Sequence, residues 1–418
     1  MLYRARFLLS ISAPPIEDGA VLVKTGLICA VGAFRELAAA HPETAVVDFG
    51  DTALLPPLVN AHTHLELSDF PRWAVALGDA DEPKDFVAWI LRLVRIRRSI
   101  SGAQLRDSLA AGLRASLTAG TGAVGDILTT LDVLPTYRPS PLRGRIFAEV
   151  LGRDPDSVAG RLAAIEGLLT EPPAEHLAWG IAPHAPYTLS ASATDQVFAF
   201  AGRHSLQCSI HLAESADESR FLENGSGAIA ERLFAAARWD TAADPSPGCS
   251  PVHAICRRGR LGPGDLAVHG VQVDDQDIGR LKERGCCVVL CPRSNAVLGV
   301  GRAPVAAYLA AGVPLALGTD SLASSPSLSI WDEIAFAMSC YPGQAAPRDW
   351  LKIATRGGAQ ALGQQTRLGQ FLPGLEASFQ VVALPELPAL HELEEALCTS
   401  GRNARVTHLY LAARNVLP

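Results

Sequence analysis

Eight short apolar runs with helical stretches between them are what most restrict the fold of this chain. The first is ALLPPLVNAHTH (residues 53–64). The others are TGAVGDI (121–127), RIFAEVL (145–151), AWGIAPH (178–184), LQCSIHL (206–212), DLAVHG (265–270), CCVVLCP (286–292) and VPLALGTD (313–320). Most are apolar without alternation, as strands buried on both faces are. LRDSLAAGLRASLTAG (105–120) and APVAAYLAAG (303–312) carry apolar residues at helical spacing and close on a glycine. Eight strands alternating with helices predict an α/β fold, a (β/α)8 TIM-type barrel. The chain has 418 residues, and barrels of this type take about 250 as one unit. AVLVKTGLICAVG near the start, with turn glycines Gly26 and Gly32, and GLEASFQVVAL near the end read as short strands. The expected division is therefore residues 1–52 and 366–418 as two halves of a small β-sandwich domain, with the barrel over 53–365.

Charge and composition remove several classes of function. A formal net charge of −7 gives no basic face for nucleic acid. At 48% apolar and 19% charged residues the chain is globular, not disordered. No apolar run approaches the roughly 18 residues of a membrane span, so no membrane partner is expected. The opening MLYRARFLLSIS lacks the apolar core of a secretory leader. Without secretion, the glycosylation pattern at Asn224-Gly225-Ser226 carries no meaning. Nine cysteines, an odd number with no CxxC pair, fit reduced thiols in a cytoplasm. Asp244 to Pro251 and Pro342 to Pro347 read as surface loops.

Polar residues fall where the apolar runs stop. His62 and His64 end the first run, His184 the fourth, His211 the fifth, His269 the sixth and Asp320 the eighth. Strand C-termini of such a barrel all open on one face, and that face holds the chemistry. His62 and His64, two apart on a strand, place both imidazoles on one side. With His211 and the Asp320 carboxylate they form a donor set for zinc or iron(II) that leaves a position for water. Any one of these histidines alone reads more simply as a core or surface residue. Five of eleven histidines at strand ends is what favours a metal centre. His41, His176, His204, His253, His391 and His408 sit in predicted loops or helices without partners.

Glu214, three residues after His211, has two readings: a carboxylate at a helix N-terminus, or a general acid/base beside a ligand. Its neighbour favours the second. Glu66 is close enough to the mouth to touch substrate, and a capping role is equally open. Glu149, on the third strand, reads as a buried structural carboxylate, with a bridge to a second metal as the alternative. Pro71 to Arg98, carrying Trp73, Trp89 and several arginines, is expected to cover the mouth, with most of its charges on a solvated helix face.

LLPPLVNAHTHLE, APHAPYTLS, IHLAES, AVHGV, CPRSN and LGTDS together resemble the amidohydrolase superfamily, in its cytosine deaminase/chlorohydrolase branch, over nearly the whole chain. HTHLE, HLAES, CPRSNAVLG and LGTDSLAS are most similar to the bacterial aminodeoxyfutalosine deaminases and the adenosylhomocysteine and methylthioadenosine deaminases. The resemblance implies His62, His64, His211 and Asp320 as ligands of one divalent metal, zinc first and iron(II) second. It implies Glu214 as proton shuttle and His269 as the group that holds the attacking water, with Asp320 also able to take that water's proton. His184 would contact substrate, with Glu66 and Trp89 as weaker contacts. Binuclear relatives use a carboxylated lysine on the fourth strand, and Lys24, Lys84, Lys282 and Lys352 all lie elsewhere. One metal is therefore expected. Where the family reads Gly-x-x-Ala-Asp, this chain has Gly374 to Ser378, GLEAS, far from the metal motifs.

The implied reaction is hydrolytic deamination. Metal-activated water attacks the amino-bearing carbon, Glu214 protonates the adjacent ring nitrogen, and ammonia leaves. The best-fitting substrate is an aminopurine nucleoside such as 6-aminodeoxyfutalosine. Open alternatives are adenosylhomocysteine, methylthioadenosine or guanine deamination, and a chlorohydrolase or N-alkylamine hydrolase acting on a triazine. The other zinc deaminase design pairs HxE with PCxxC. His64-Leu65-Glu66 matches its first half, but no PCxxC follows. A non-catalytic scaffold would have lost ligands, and none is lost here. By analogy a homodimer acting on a small molecule is expected.

Overall fold

The computed structural model describes residues 1–79, 83–239, 246–257, 259–399 and 405–417. Eight parallel strands form the central sheet: β1 (Leu58–Thr63), β2 (Thr121–Leu128), β3 (Arg143–Val150), β4 (Leu177–Pro183), β5 (Gln207–Leu212), β6 (Leu266–His269), β7 (Cys287–Leu290) and β8 (Leu315–Leu317). Each pairs with its neighbour in sequence, and the ring is brought together by a parallel bridge from Thr63 to Asp320. The observed fold is the expected (β/α)8 barrel.

Both faces of these strands are buried, which is why their sequences do not alternate. Val59, Ala61, Ala123, Ile127, Phe147, Val268, Val289 and Ala316 pack together in one core cluster. Their strand neighbours, such as Leu58, Val124, Ala267 and Leu290, pack instead in the clusters shared with the surrounding helices. The longest helix, Gly102–Thr118, starts at a capping box in which the Ser101 and Gln104 side chains each accept the other's backbone N–H. It buries Leu105, Leu109 and Leu113. The expected helix at 303–312 forms over Val305–Ala311 and ends at Gly312 with φ +70°.

Both chain ends meet in a second sheet, as expected. Its order is Arg414–Asn415, Arg405–Leu411, Phe379–Ala383, Ala53–Leu55, Leu2–Leu8, Ile16–Lys24 and Leu27–Ala33, with Val46–Asp48 also paired to Leu2–Leu8. Two details differ from the sequence reading. The first apolar run is divided: Ala53–Leu55 pairs within the terminal sheet, and β1 begins only after Pro56 and Pro57. Proline has no N–H to continue a ladder, so the run breaks there. The C-terminal segment also contains a helix, Leu393–Thr399, with Leu393, Leu397 and Cys398 buried in the barrel's helical layer. Asp244 and Pro245 of the expected loop lie outside the described residues, as does 80–82 of the covering segment.

Candidate active site

The C-terminal ends of the barrel strands bring the sequence-distant polar residues to one place. His62 lies in β1 and His64 directly after it; His211 lies in β5, His269 ends β6, and Asp320 follows β8. One donor atom from each of His62, His64, His211 and Asp320 falls within 4.8 Å of all the others. His64 Nε2 and His211 Nε2 are 3.3 Å apart, and Asp320 Oδ1 lies 3.6 Å from His62 Nε2 and 3.4 Å from His64 Nε2.

These residues fit a divalent cation on their own chemistry. Both ring nitrogens of His62 are buried with no hydrogen-bond partner, an expensive arrangement unless a further group satisfies them. Burial pushes the His62, His64 and His211 imidazoles below the usual histidine range, most strongly at His211, where the neighbouring imidazoles add to the effect. Burial acts to raise Asp320, but the facing His62, His64 and His269 imidazoles outweigh it and hold this carboxyl well below the usual range. Neutral imidazoles with an ionised carboxylate are the protonation states that metal ligands need.

Groups behind the ligands fix their orientation. His211 Nδ1 donates to the His184 carbonyl at 2.8 Å, which turns its Nε2 toward the centre. Asp320 Oδ2 accepts from Ser294 Oγ at 2.7 Å and Ser324 Oγ at 2.6 Å, so Oδ1 faces the imidazoles. His269 Nδ1 lies 2.9 Å from Asn295 Oδ1. An amide oxygen only accepts, so the imidazole proton sits on Nδ1 and Nε2 presents its lone pair. Ser294 and Asn295 belong to the short helix Pro292–Val297. Its start is held where Arg293 N–H donates to Glu333 at 3.1 Å, and the Arg293 side chain reaches Ser327 at 2.7 Å. Ser294, Ser324 and Asn295 were not assigned roles from sequence. They lie inside the CPRSN and LGTDSLAS motifs, but only the folded chain shows which side chain each one touches.

Glu214 is buried, with Oε1 3.6 Å from His269 Nε2. Burial, reinforced by the Asp320 charge, raises its carboxyl well above the usual range. Burial also lowers His269, against the opposing pull of Asp320 and Asn295. Burial thus disfavours the charged form of both members of the pair.

His184 lies at the mouth, its side chain 27% exposed. Thr188 Oγ1 donates its one proton to the Ala185 carbonyl at 3.0 Å, so at 3.0 Å it accepts from His184 Nδ1. That leaves His184 Nε2 as an acceptor, 4.0 Å from Glu149 Oε1. Glu149 is buried and accepts from Thr129 Oγ1 at 2.6 Å. Glu66 is also buried; it accepts from Thr130 N–H at 3.1 Å and lies 3.6 Å from Arg97. Its visible role is to hold the chain after β2. The Trp89 indole donates to the Ala323 carbonyl at 2.9 Å and its ring stacks on Phe86. The helix Phe86–Arg98 is thereby tied to the loop that carries Asp320. Arg72, Arg95 and Arg98 are exposed, whereas Arg92 and Arg97 are partly buried.

A family model described as the amidohydrolase family matches residues 53–416. The aminodeoxyfutalosine deaminase of Deinococcus radiodurans is 33% identical over 363 residues, covering 84% of this chain and 82% of that protein. The 5-methylthioadenosine/S-adenosylhomocysteine deaminase of Syntrophobacter fumaroxidans is 30% identical over 433 residues, covering 96% and 88%. Among solved structures, an adenosine deaminase from Xanthomonas campestris with bound zinc superposes with a TM-score of 0.79 at 25% identity, covering all of this chain and 92% of that one.

Proposed function

The chain belongs to the amidohydrolase family, and from that premise we propose that it is a metal-dependent hydrolytic deaminase of a 6-aminopurine nucleoside, with 6-aminodeoxyfutalosine the first candidate substrate. The observation that carries this reading is the convergence of four donor atoms within 4.8 Å beside a buried acid–base pair, Glu214 and His269. Two curated relatives at 30% identity or more are deaminases of nucleosides.

His62, His64, His211 and Asp320 would hold one divalent ion. Zinc is preferred because a similar structure holds it, and iron(II) suits the same donors. When bound, such an ion supplies Lewis acidity toward water and toward developing negative charge.

The protein's own groups do the rest. His269, anchored through Nδ1 on Asn295, holds the attacking water with Nε2. Asp320 is assigned the proton of that water. Glu214, whose charged form burial disfavours, is assigned the proton given to the ring nitrogen beside the amino-bearing carbon, which relieves the charge formed there. A C–O bond forms, the C–N bond to the amino group breaks, and the nitrogen departs as ammonia with the water proton taken by Asp320, while the remaining hydroxyl proton passes to Glu214 and restores its acid form as C=O forms. The product carries C=O where the substrate carried C–NH2. His184 Nε2 faces the mouth as an acceptor suited to a substrate hydroxyl. Trp89 offers a ring face, its N–H being already engaged. Glu66, held by Thr130 N–H and Arg97, is the weaker candidate for a substrate contact. Nine free thiols fit a reducing compartment, and among the described residues no helix is long and apolar enough to cross a membrane.

The test is ammonia release from 6-aminodeoxyfutalosine by protein loaded with one zinc per chain and by the same protein after chelation. Release that disappears with the metal and returns on reloading is expected. Release unaffected by chelation would overturn the metal-dependent reading.

A further inference from the structure

One buried carboxylate next to this machinery has no role in the reaction as described. Glu218 is fully buried in the first turn of the helix Ala216–Asn224. Its Oε1 accepts from Ala213 N–H at 3.2 Å and its Oε2 from Glu214 N–H at 2.8 Å. Helix capping does not require this. Ser215 already caps the helix, accepting from Glu218 N–H at 3.2 Å. A capping-box glutamate would reach back to the N–H of the cap residue itself. Glu218 reaches past it to the two residues before.

Those two residues form an unusual turn. Ala213 has φ +53°, a left-handed conformation unfavourable for an L-residue with a side chain. Its effect is to turn two successive N–H groups into one concavity, the kind of backbone nest that takes an anion. The Glu218 carboxyl group fills it, and the two N–H groups it accepts oppose the burial that raises this carboxyl to about 8. The carbonyl of the same Ala213 accepts from Val271 N–H at 2.9 Å and Gln272 N–H at 2.7 Å, just beyond His269. Gly270 N–H donates to the Leu212 carbonyl at 3.1 Å. A single turn thus joins the ends of β5 and β6, and across it Glu214 and His269 face each other at 3.6 Å.

We propose that Glu218 is a positioning residue: its carboxyl group, bridging the Ala213 and Glu214 N–H groups, locks the left-handed turn at Ala213 and so sets the Glu214 carboxyl against His269. It touches neither the metal ligands' donor atoms nor the mouth. The proposal rests on the proton-transfer role given to Glu214, and its test is chosen to separate the two.

Glu218→Gln keeps the side-chain volume and one acceptor but turns an NH2 toward a backbone N–H. In zinc-loaded protein, kcat for the aminonucleoside should fall about 10- to 100-fold, the range typical of lost supporting hydrogen bonds at metal sites. KM should stay within about threefold, and the metal content should remain one per chain. Hydrogen exchange at the Ala213 and Glu214 amides, read in metal-free and loaded protein alike, should quicken by about tenfold or more with Tm little changed. Adding Ala213→Gly should restore part of kcat, since glycine holds a positive φ without the Glu218 bridge. Unchanged exchange and kcat would overturn the proposal. So would a fall in Tm and metal content with kcat per bound metal preserved, or the absence of any recovery in the double variant. If wild-type protein releases no ammonia while exchange at the two amides still depends on Glu218, the lock stands and the deaminase reading falls.

Discussion

Ala213, His269 and Asp320 each hold a positive φ, +53°, +74° and +57°, at the ends of three barrel strands. None is a glycine, and each such residue costs about 1–3 kcal/mol. They persist because surrounding hydrogen bonds over-determine them: Asp320 N–H donates to the His62 carbonyl at 3.1 Å, and two serine hydroxyls hold its side chain. Strain of this kind at the mouth aims side chains inward where a relaxed strand would carry on past. In the proposed mechanism Glu214 is the residue on which the chemistry most depends. Glu214→Gln should retain the metal and lose kcat by about 10²- to 10⁴-fold, the usual worth of a placed acid–base group; a near-normal rate in steady-state assays would remove it from the mechanism. A second buried acid gives a pH signature. Burial raises the Asp126 carboxyl to about 8, even though it accepts from Leu65 N–H and from the Tyr137 hydroxyl. Between the unfolded carboxyl pKa near 4 and 8, the folded state binds the extra proton, so this group's contribution to stability is fully present at low pH and declines as pH rises toward 8. Relative to Asp126→Asn, wild-type stability in urea should therefore fall between pH 6 and 8, by at most about 1.4 kcal/mol per unit. Parallel pH profiles for the two proteins would show Asp126 ionised in the fold.

At the scale of elements, β1 and β8 illustrate how a ligand strand is seated. Gly318 follows β8, and a Cβ placed there would lie 2.8 Å from both the Cβ and the carbonyl oxygen of His62 and 3.0 Å from its nitrogen. The neighbouring backbone cannot retreat without moving the ligand. Gly318→Ala should lower metal content at a fixed free-zinc level by about tenfold or more, measured by elemental analysis; full loading would show that β1 and β8 separate freely. The eight barrel strands were legible in the sequence because burial on both faces leaves unbroken apolar runs, and the metal ligands because they end those runs. The break at Pro56–Pro57 was visible as two prolines, yet which sheet Ala53–Leu55 joins depends on partners at Phe7 and Val382, far away in sequence. The helix Leu393–Thr399 was missed beside residues that do form strands. Ser294, Ser324, Asn295 and Glu218 were missed for a further reason. Their roles come from distances to residues on other elements, which spacing along the chain does not carry.

Across the whole molecule, the terminal sheet is fastened to the barrel by buried polar contacts. Gln380 in the strand Phe379–Ala383 is fully buried; it accepts from the Trp331 indole at 3.2 Å and donates to the Pro56 carbonyl at 3.0 Å. Arg143, at the start of β3, pairs with Glu376 at 2.6 Å. Gln380→Ala would leave a buried indole N–H and a carbonyl without partners, a loss of about 2–4 kcal/mol. Tm should fall while metal content and Glu214-dependent chemistry persist; unchanged Tm would mean the sheet contributes little to holding the barrel. The chemistry proposed for the whole molecule is a single metal-assisted deamination at the barrel mouth. The measurement that tests it most directly is ammonia release by zinc-loaded protein over a panel of 6-aminodeoxyfutalosine, adenosylhomocysteine, other 6-aminopurine nucleosides, guanine, cytosine and melamine. A kcat/KM above about 10⁴ M⁻¹s⁻¹ for a 6-aminopurine nucleoside is the predicted result. Silence across those nucleosides, with one metal bound per chain, would contradict it.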